Sequence, residues 1–251
     1  MKLGALLGPF ADAAVETSLA EMARRYAGEG FQSLWSAQAI GRGFMMTDPF
    51  VALSVAATVA ELVEIGTAVV QVPLYRPVEL AHRVFSLQQI CGNRLILGVG
   101  AGSTERDFAA FGGDYPNRFA QFRSRVDELR TLFAGGRLAD VDLSPWPAVA
   151  GGPPLFLGSW GRGVARAAKE FDGWIASANY RTPDEVVTAL QGYRAAGGTR
   201  AIVSTIQVPP GVDLGALKAK LDRFEAAGFD DAVVMLFPGG PSPTQVRKLV
   251  G

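Results

Sequence analysis

Apolar and polar positions along this chain come in blocks, not in residue-by-residue alternation. Short apolar runs occupy Lys2–Leu7, Ser33–Ser36, Ile65–Val72, Arg94–Val99, Pro154–Leu157, Gly173–Ser177, Arg200–Val208 and Asp231–Phe237. An apolar run without alternation reads as a strand buried on both faces, which is what a parallel sheet under helices requires. Between the runs lie stretches with helical spacing. Leu19, Met22, Ala23 and Tyr26 mark one face of a helix expected from about Val15 to Ala27. Asp48-Pro49 and Thr182-Pro183-Asp184-Glu185 each place a capping side chain before a proline at the first helical position. Further helices are expected over Pro77–Ile90, from about Asn117 to Phe133, from about Gly161, over Leu214–Ala227 and over Pro243–Val250. Residues 137–153, with three prolines and nearby glycines, read as irregular connection.

Eight strand–helix units in 251 residues predict an α/β fold: a closed (β/α)8 TIM barrel, one domain over residues 1–251. The competing arrangement is an open doubly wound sheet. In a barrel, function gathers at the strand C-terminal ends. Those ends carry Gly8-Pro9-Phe10, Ala37-Gln38, Val70-Gln71, Gly100 with Gly102-Ser103-Thr104, Gly158-Ser159-Trp160-Gly161, Asn179-Tyr180, Gln207 and Phe237-Pro238-Gly239-Gly240.

Composition narrows the chemistry. Lys plus Arg and Asp plus Glu both number 24, so no global field draws nucleic acid or an anionic membrane. The single cysteine, Cys91, excludes an internal disulfide and reads as a buried, inert thiol. Met1–Gly8 is apolar but too short to cross a bilayer, and reads as a first strand without a signal peptide; the expected compartment is the cytosol. His82, the one histidine, falls inside a helix, which rules out a transition-metal cluster of His and Cys and disfavours a Ser-His-Asp triad. None of the five lysines falls at a strand C-terminal end, so a Schiff-base aldolase is disfavoured, and no metal site is expected. A rim so poor in acids, bases and ligands points to a cofactor that brings the reactive atoms. Gly158-Ser159-Trp160-Gly161-Arg162-Gly163 leads from a strand into a helix. There backbone N–H groups and Arg162 suit a phosphate, or the glycines merely shape a tight turn.

Several motifs in order resemble the luciferase-like oxidoreductases. They are Gly66-Thr67-Ala68-Val69-Val70 with Pro73, Arg76-Pro77, Leu80-Ala81, Asn93 through Gly102, Phe108, Phe111-Gly112, Arg118, and Gly158-Ser159 through Asp172-Gly173. The likeness runs from Lys2 to about Ile206. It implies an eight-stranded barrel that binds reduced FMN or the deazaflavin coenzyme F-420 for monooxygenation or hydride transfer. It puts a non-prolyl cis peptide at Ala68-Val69, backing the cofactor ring. It puts Gly102, Ser103 and Arg106 beside the ring and its polar tail, and the phosphate at Gly158, Ser159, Trp160 and Gly161. Gln71 and Gly100 on the rim, and Arg162 beside the turn, complete the cofactor-binding candidates. Generic barrels would place phosphate after the last two strands instead, where Phe237-Pro238-Gly239-Gly240 is available.

The chain departs from the family where many members carry an acid and a histidine after the second strand; here Ala37-Gln38 stands. Gln38 is the catalytic candidate, as a hydrogen bonder and not a base. The resemblance implies a flavin-dependent oxidoreductase of the luciferase-like monooxygenase type, which uses reduced FMN or the deazaflavin to oxidise or reduce a small organic substrate. Two alternatives stay open: deazaflavin-dependent hydride transfer without oxygen, and a non-catalytic flavin-binding protein. A flavin reductase or deazaflavin-reducing partner and a homodimer are the expected associations, with no nucleic acid and no membrane.

Overall fold

The computed structural model describes residues 1–8 and 18–250. In chain order its elements are β1 (Lys2–Leu6), α1 (Leu19–Gly28), β2 (Ser33–Ser36), α2 (Pro49–Val59), β3 (Glu64–Thr67), β4 (Val70–Gln71), α3 (Pro77–Cys91), β5 (Leu95–Gly100), α4 (Glu105–Ala110) and α5 (Arg118–Gly135). There follow β6 (Arg137–Leu138), β7 (Val141–Asp142), β8 (Leu155–Gly158), α6 (Arg162–Glu170), β9 (Gly173–Ser177), α7 (Pro183–Ala195), β10 (Arg200–Val208), α8 (Leu214–Ala227), β11 (Asp231–Leu236) and α9 (Pro243–Arg247).

Every pairing in the main sheet is parallel, and the pairing of β3 with β5 closes it: Ile65 lies opposite Leu95, and Gly66 opposite Ile96. With β4 continuing the line of β3, eight strand positions ring the bore, and the open-sheet alternative is excluded. Helix starts follow local chemistry. Ser18, Thr182 and Ser242 each accept a hydrogen bond from the third helical N–H while the Glu or Gln side chain at that third position accepts one from the cap residue's own N–H, a reciprocal cap. Asp48 and Asp213 cap α2 and α8 with a carboxylate. Gly136 ends α5 at φ 70°, a left-handed conformation that glycine adopts without penalty.

Two apolar cores result from the strand pleat. One packs the helices on the barrel's outer face. The other fills the bore with Leu6, Trp35, Ile96, Phe156, Ile175, Ile202 and Val233. Trp35 is fully buried and fits only because Gly66 has no side chain; a Cβ there would collide with the indole ring. Below this plug, Arg200 of β10 reaches across the bore. Its guanidinium binds Asp231 of β11 at 2.8 and 2.9 Å and Glu64 of β3 at 2.6 and 2.9 Å. The two carboxylates and Arg200 close the barrel floor.

Four expectations need correction. The run Ile65–Val72 is not one strand: it breaks at Ala68 into β3, β4 and a 3₁₀ turn over Val72–Leu74, because the chain bulges there. The segment after β5 is not all loop but holds α4, and residues 137–153 contain the antiparallel hairpin β6–β7. The first helix begins at Leu19, while Val15–Thr17, like Pro9 and Phe10 of the first strand end, lies outside the described residues. Cys91 is buried as expected, and burial pushes its thiol pKa up. Among the described residues, no helix is long and apolar enough to cross a membrane.

Candidate functional site

Inward-facing residues at the strand C-terminal ends form the floor of the barrel mouth. Ala37, Met46, Ala68, Val69, Met235 and Phe237 are half-buried and lie on the plug of the bore. The Ala68–Val69 peptide is cis. The bulge is tied to β2 by Ala68 N–H donating to Ser36 O at 2.8 Å, and it turns the Val69 side chain toward β5 and β8. A Cβ on Gly100 would stand 2.8 Å from Val69 Cγ2, and one on Gly158 would stand 2.6 Å from Val69 Cγ1. Both glycines are therefore required by one valine. The product is an apolar shelf with no side chain rising from β5 or β8 beside it.

At the edge of that shelf, β8 passes through Ser159, Trp160 and Gly161 into α6. Gly161 has φ 59° with open space where a Cβ would be, and no side chain caps the helix. Of the first N–H groups of α6, those of Gly163 and Val164 donate to the Trp160 and Gly161 carbonyls at 3.1 Å, which leaves the Arg162 N–H at the positive end of the helix. Ser159 Oγ is buried without a hydrogen-bond partner among the described residues, and only a glycine at 163 leaves room for it. Arg162 is exposed at the helix start, and the Arg181 guanidinium lies 4.6 Å from the centroid of the half-buried Trp160 ring. The Ser159 hydroxyl, the Arg162 N–H at the positive helix end and a guanidinium are donors that a phosphate takes; the residues fit the group.

Behind the shelf lies a polar network. Asp107 of α4 is fully buried and receives Arg42 Nε at 2.8 Å, Gln71 Nε2 at 2.6 Å and Ile40 N–H at 3.2 Å, with a second bond from Arg42. Burial pushes the Asp107 carboxyl up, but the bonds from Arg42 and Gln71 and the Arg42 charge outweigh it and hold the pKa below the ordinary carboxylate value. Gln38 Oε1 accepts from Gln71 N–H at 2.8 Å, and Gln38 Nε2 donates to Tyr75 Oη at 2.8 Å. The loop after β2, the strand after the bulge and α4 are fastened together by these bonds.

On the opposite wall the inward residues are polar and uncharged. Ser177 and Asn179 follow Ile175 at the two-residue period of β9, and Gln207 of β10 donates through Nε2 to Asn179 Oδ1 at 3.0 Å.

The structure brings Ala68, Val69, Gly100 and Gly158 into direct contact, with Ser159, Trp160, Gly161 and Arg162 on the adjoining turn. Gly102 sits behind the shelf, its position filled if it carried a Cβ by Gln71 Oε1 at 2.5 Å. Ser103 is exposed and its carbonyl accepts from Tyr115 Oη at 3.0 Å; Arg106 is exposed on α4. Gln38 is 6% exposed, and both heavy atoms of its amide are engaged within the protein, so it braces the shelf from behind and presents no uncommitted atom to the mouth. Asp107 as the hub of the network, and the Asn179–Gln207 contact, were not apparent from the sequence.

Barrel, shelf and open helix end together define a (β/α)8 protein with a concave mouth at the strand C-terminal ends, where barrels of this class place their sites. More narrowly, the chain belongs to the luciferase-like monooxygenase family, whose model matches residues 8–211. Among curated relatives, 4-hydroxyprotoasukamycin monooxygenase of Streptomyces nodosus subsp. asukaensis is 28% identical over 141 residues, 52% of this chain and 38% of that protein. F-420-dependent glucose-6-phosphate dehydrogenase of Nocardia farcinica is 30% identical over 130 residues, 47% of this chain and 39% of that protein. Each match thus spans about two fifths of the relative's length. Among solved structures, the monooxygenase RslO1 of Streptomyces bottropensis superposes with a TM-score of 0.79 at 18% identity, covering 99% of this chain and 96% of its own, a likeness of fold.

Proposed function

We propose that this protein is an oxidoreductase that holds a reduced tricyclic cofactor, FMN or the deazaflavin coenzyme F-420, in the barrel mouth and brings a small organic substrate against it. The observation that carries the reading is the pairing of a flat apolar shelf, Val69 seated over Gly100 and Gly158, with an uncapped helix start and an orphaned buried hydroxyl at Ser159. The first suits a ring and the second a phosphate. When bound, the reduced ring supplies the electrons, either as hydride to an organic acceptor or to dioxygen for insertion into the substrate.

The chain's own residues have three tasks in this reading. Ala68, Val69, Met46, Met235 and Phe237 cover one ring face and keep water from it. Ser159, the α6 N-terminus and Arg162 hold the phosphate and so fix where the ring ends. Asp107, Arg42, Gln71 and Gln38 hold the shelf in place from behind. Among the described residues, the side chains lining the shelf and the polar wall, Ala68, Val69, Met46, Met235, Phe237, Asn179 and Gln207, carry no ionisable group, so they contribute hydrogen bonds and shape. The electrons reach the cofactor from a separate reductase, and the protein works in the cytosol.

The test is titration of the protein with FMN, riboflavin and the deazaflavin coenzyme, oxidised and reduced, by calorimetry and absorbance. At least one phosphorylated cofactor binds, and FMN binds about 10-fold or more tightly than riboflavin, the value of one or two charge-assisted hydrogen bonds. Absence of binding by all of them overturns the assignment. Anaerobic and aerobic turnover with the tighter ligand then separates hydride transfer from oxygen insertion.

A further inference from the structure

β10 contains an irregularity that the proposed function does not use. Ile202 and Val203 pair with Asp231 and Ala232 of β11, but Ile206 pairs with Val234. Ser204 and Thr205 therefore stand opposite the single residue Val233, a β-bulge. Thr205 adopts φ 59°. For a β-branched residue this left-handed conformation is a strained outlier, and such residues persist where their surroundings hold them.

The bulge changes which side chains face the bore. Ile202 belongs to the plug inside the barrel, so strict two-residue alternation would point Ser204 and Ile206 inward and Gln207 outward. With one residue inserted, Ile206 and Val208 join the outer core, and Gln207 lies beside Met235, which packs on the plug. Thus the strained Thr205 is what aims Gln207 into the mouth. There Gln207 Nε2 meets Asn179 Oδ1 at 3.0 Å. That bond leaves two atoms uncommitted among the described residues: Gln207 Oε1, an acceptor, and Asn179 Nδ2, a donor. They stand side by side on the polar wall facing the apolar shelf.

We propose that Asn179 and Gln207 form a reader for an uncharged ring edge that carries an N–H next to a carbonyl. Gln207 Oε1 accepts from the N–H and Asn179 Nδ2 donates to the carbonyl. The mutual bond between the two amides fixes which offers the donor and which the acceptor, so the pair distinguishes this edge from its N-alkylated form. The inference rests on the reading of the mouth as a ring-binding site. The pyrimidine edge of a flavin or deazaflavin has this chemistry, and so does a lactam or imide substrate; the pair itself is indifferent to the source.

The experiment measures Kd for FMN and 3-methyl-FMN, and, on the FMN-loaded protein, for 2-pyridone and N-methyl-2-pyridone by chemical-shift titration. Wild type is compared with Gln207→Met and Asn179→Leu, each checked for native circular dichroism. Methylation at nitrogen is expected to weaken binding about 10-fold in one arm, and the discrimination is expected to vanish in both variants. Discrimination in the FMN arm identifies the cofactor edge as the ligand; discrimination in the pyridone arm identifies a substrate edge. Equal binding of methylated and unmethylated probes in both arms, or discrimination that survives in the variants, overturns the proposal. Should neither FMN nor the deazaflavin coenzyme bind, the proposed function falls, and the amide pair is judged on the two pyridones with the unloaded protein.

Discussion

Replacing Gly158 by alanine tests the shelf directly. The new Cβ would stand 2.6 Å from Val69 Cγ1, where carbon atoms normally settle at about 3.5–4.0 Å, so about 1 Å of movement is forced. Val69 has nowhere to retreat on the barrel side. Gly100 already lies below its other methyl, at a distance that a single added carbon would violate, and the backbone on either side is held in β3 and β4. The side chain must swing toward the open mouth, into the space assigned to the ring. Overpacking of this kind costs about 1–3 kcal/mol in stability. A shift of about 1.4 kcal/mol in ligand contact is a 10-fold loss of affinity. Gly158→Ala is therefore expected to lower the urea midpoint and to weaken FMN binding about 10-fold. Val69→Ala alone removes two half-buried methyl groups and is expected to cost about 1 kcal/mol. The double variant restores room, so the two changes are expected to couple favourably by about 1 kcal/mol or more in a double-mutant cycle. An unchanged midpoint and unchanged Kd in Gly158→Ala, or strict additivity in the cycle, would refute the argument.

Two further variants test the network and the floor. Asp107→Ala leaves Arg42 and Gln71 without their shared acceptor, at a cost of about 3 kcal/mol, the low end for a buried pair because Arg42 is partly exposed; urea unfolding measures it. Because the Asp107 pKa is depressed on folding, its stabilisation is complete above the unfolded value of about 3.9 and is lost as pH falls through the lower folded value, so the acid slope of stability is expected to be shallower in the variant than in wild type. At the other end of the barrel, Arg200→Leu strands the fully buried Asp231 and is expected to cost about 3–5 kcal/mol while leaving FMN affinity unchanged; a loss under about 1 kcal/mol, or a changed Kd, contradicts the assignment of this cluster to the floor.

The barrel was legible because strands buried on both faces carry apolar runs, and because caps such as Asp48-Pro49 and Thr182-Pro183 write helix starts into local sequence. The break at Ala68 was invisible to periodicity, since Gly66 through Val70 is apolar or small on both sides of it; it came only through family likeness. The short helix at Glu105 was hidden by its glycine-rich approach, and Thr104 supplies no side-chain cap. Gln38 was identified by position at a strand end, but position does not report direction: its amide turns toward Tyr75 and Gln71, residues distant in sequence. The face of Gln207 was unreadable for a related reason. One inserted residue reverses every side chain beyond it, and nothing in Ser204-Thr205 announces the insertion.

The closed floor has a consequence for traffic. With Arg200, Glu64 and Asp231 locked together below and the plug of Trp35 and Phe156 packed in the bore above them, the described residues leave no back exit. Anything entering from the rim must leave by the same door. On the proposed reading two guests share one doorway and queue by depth: the ring seated on Val69 would arrive first and depart last, and the shallower substrate would come and go above it.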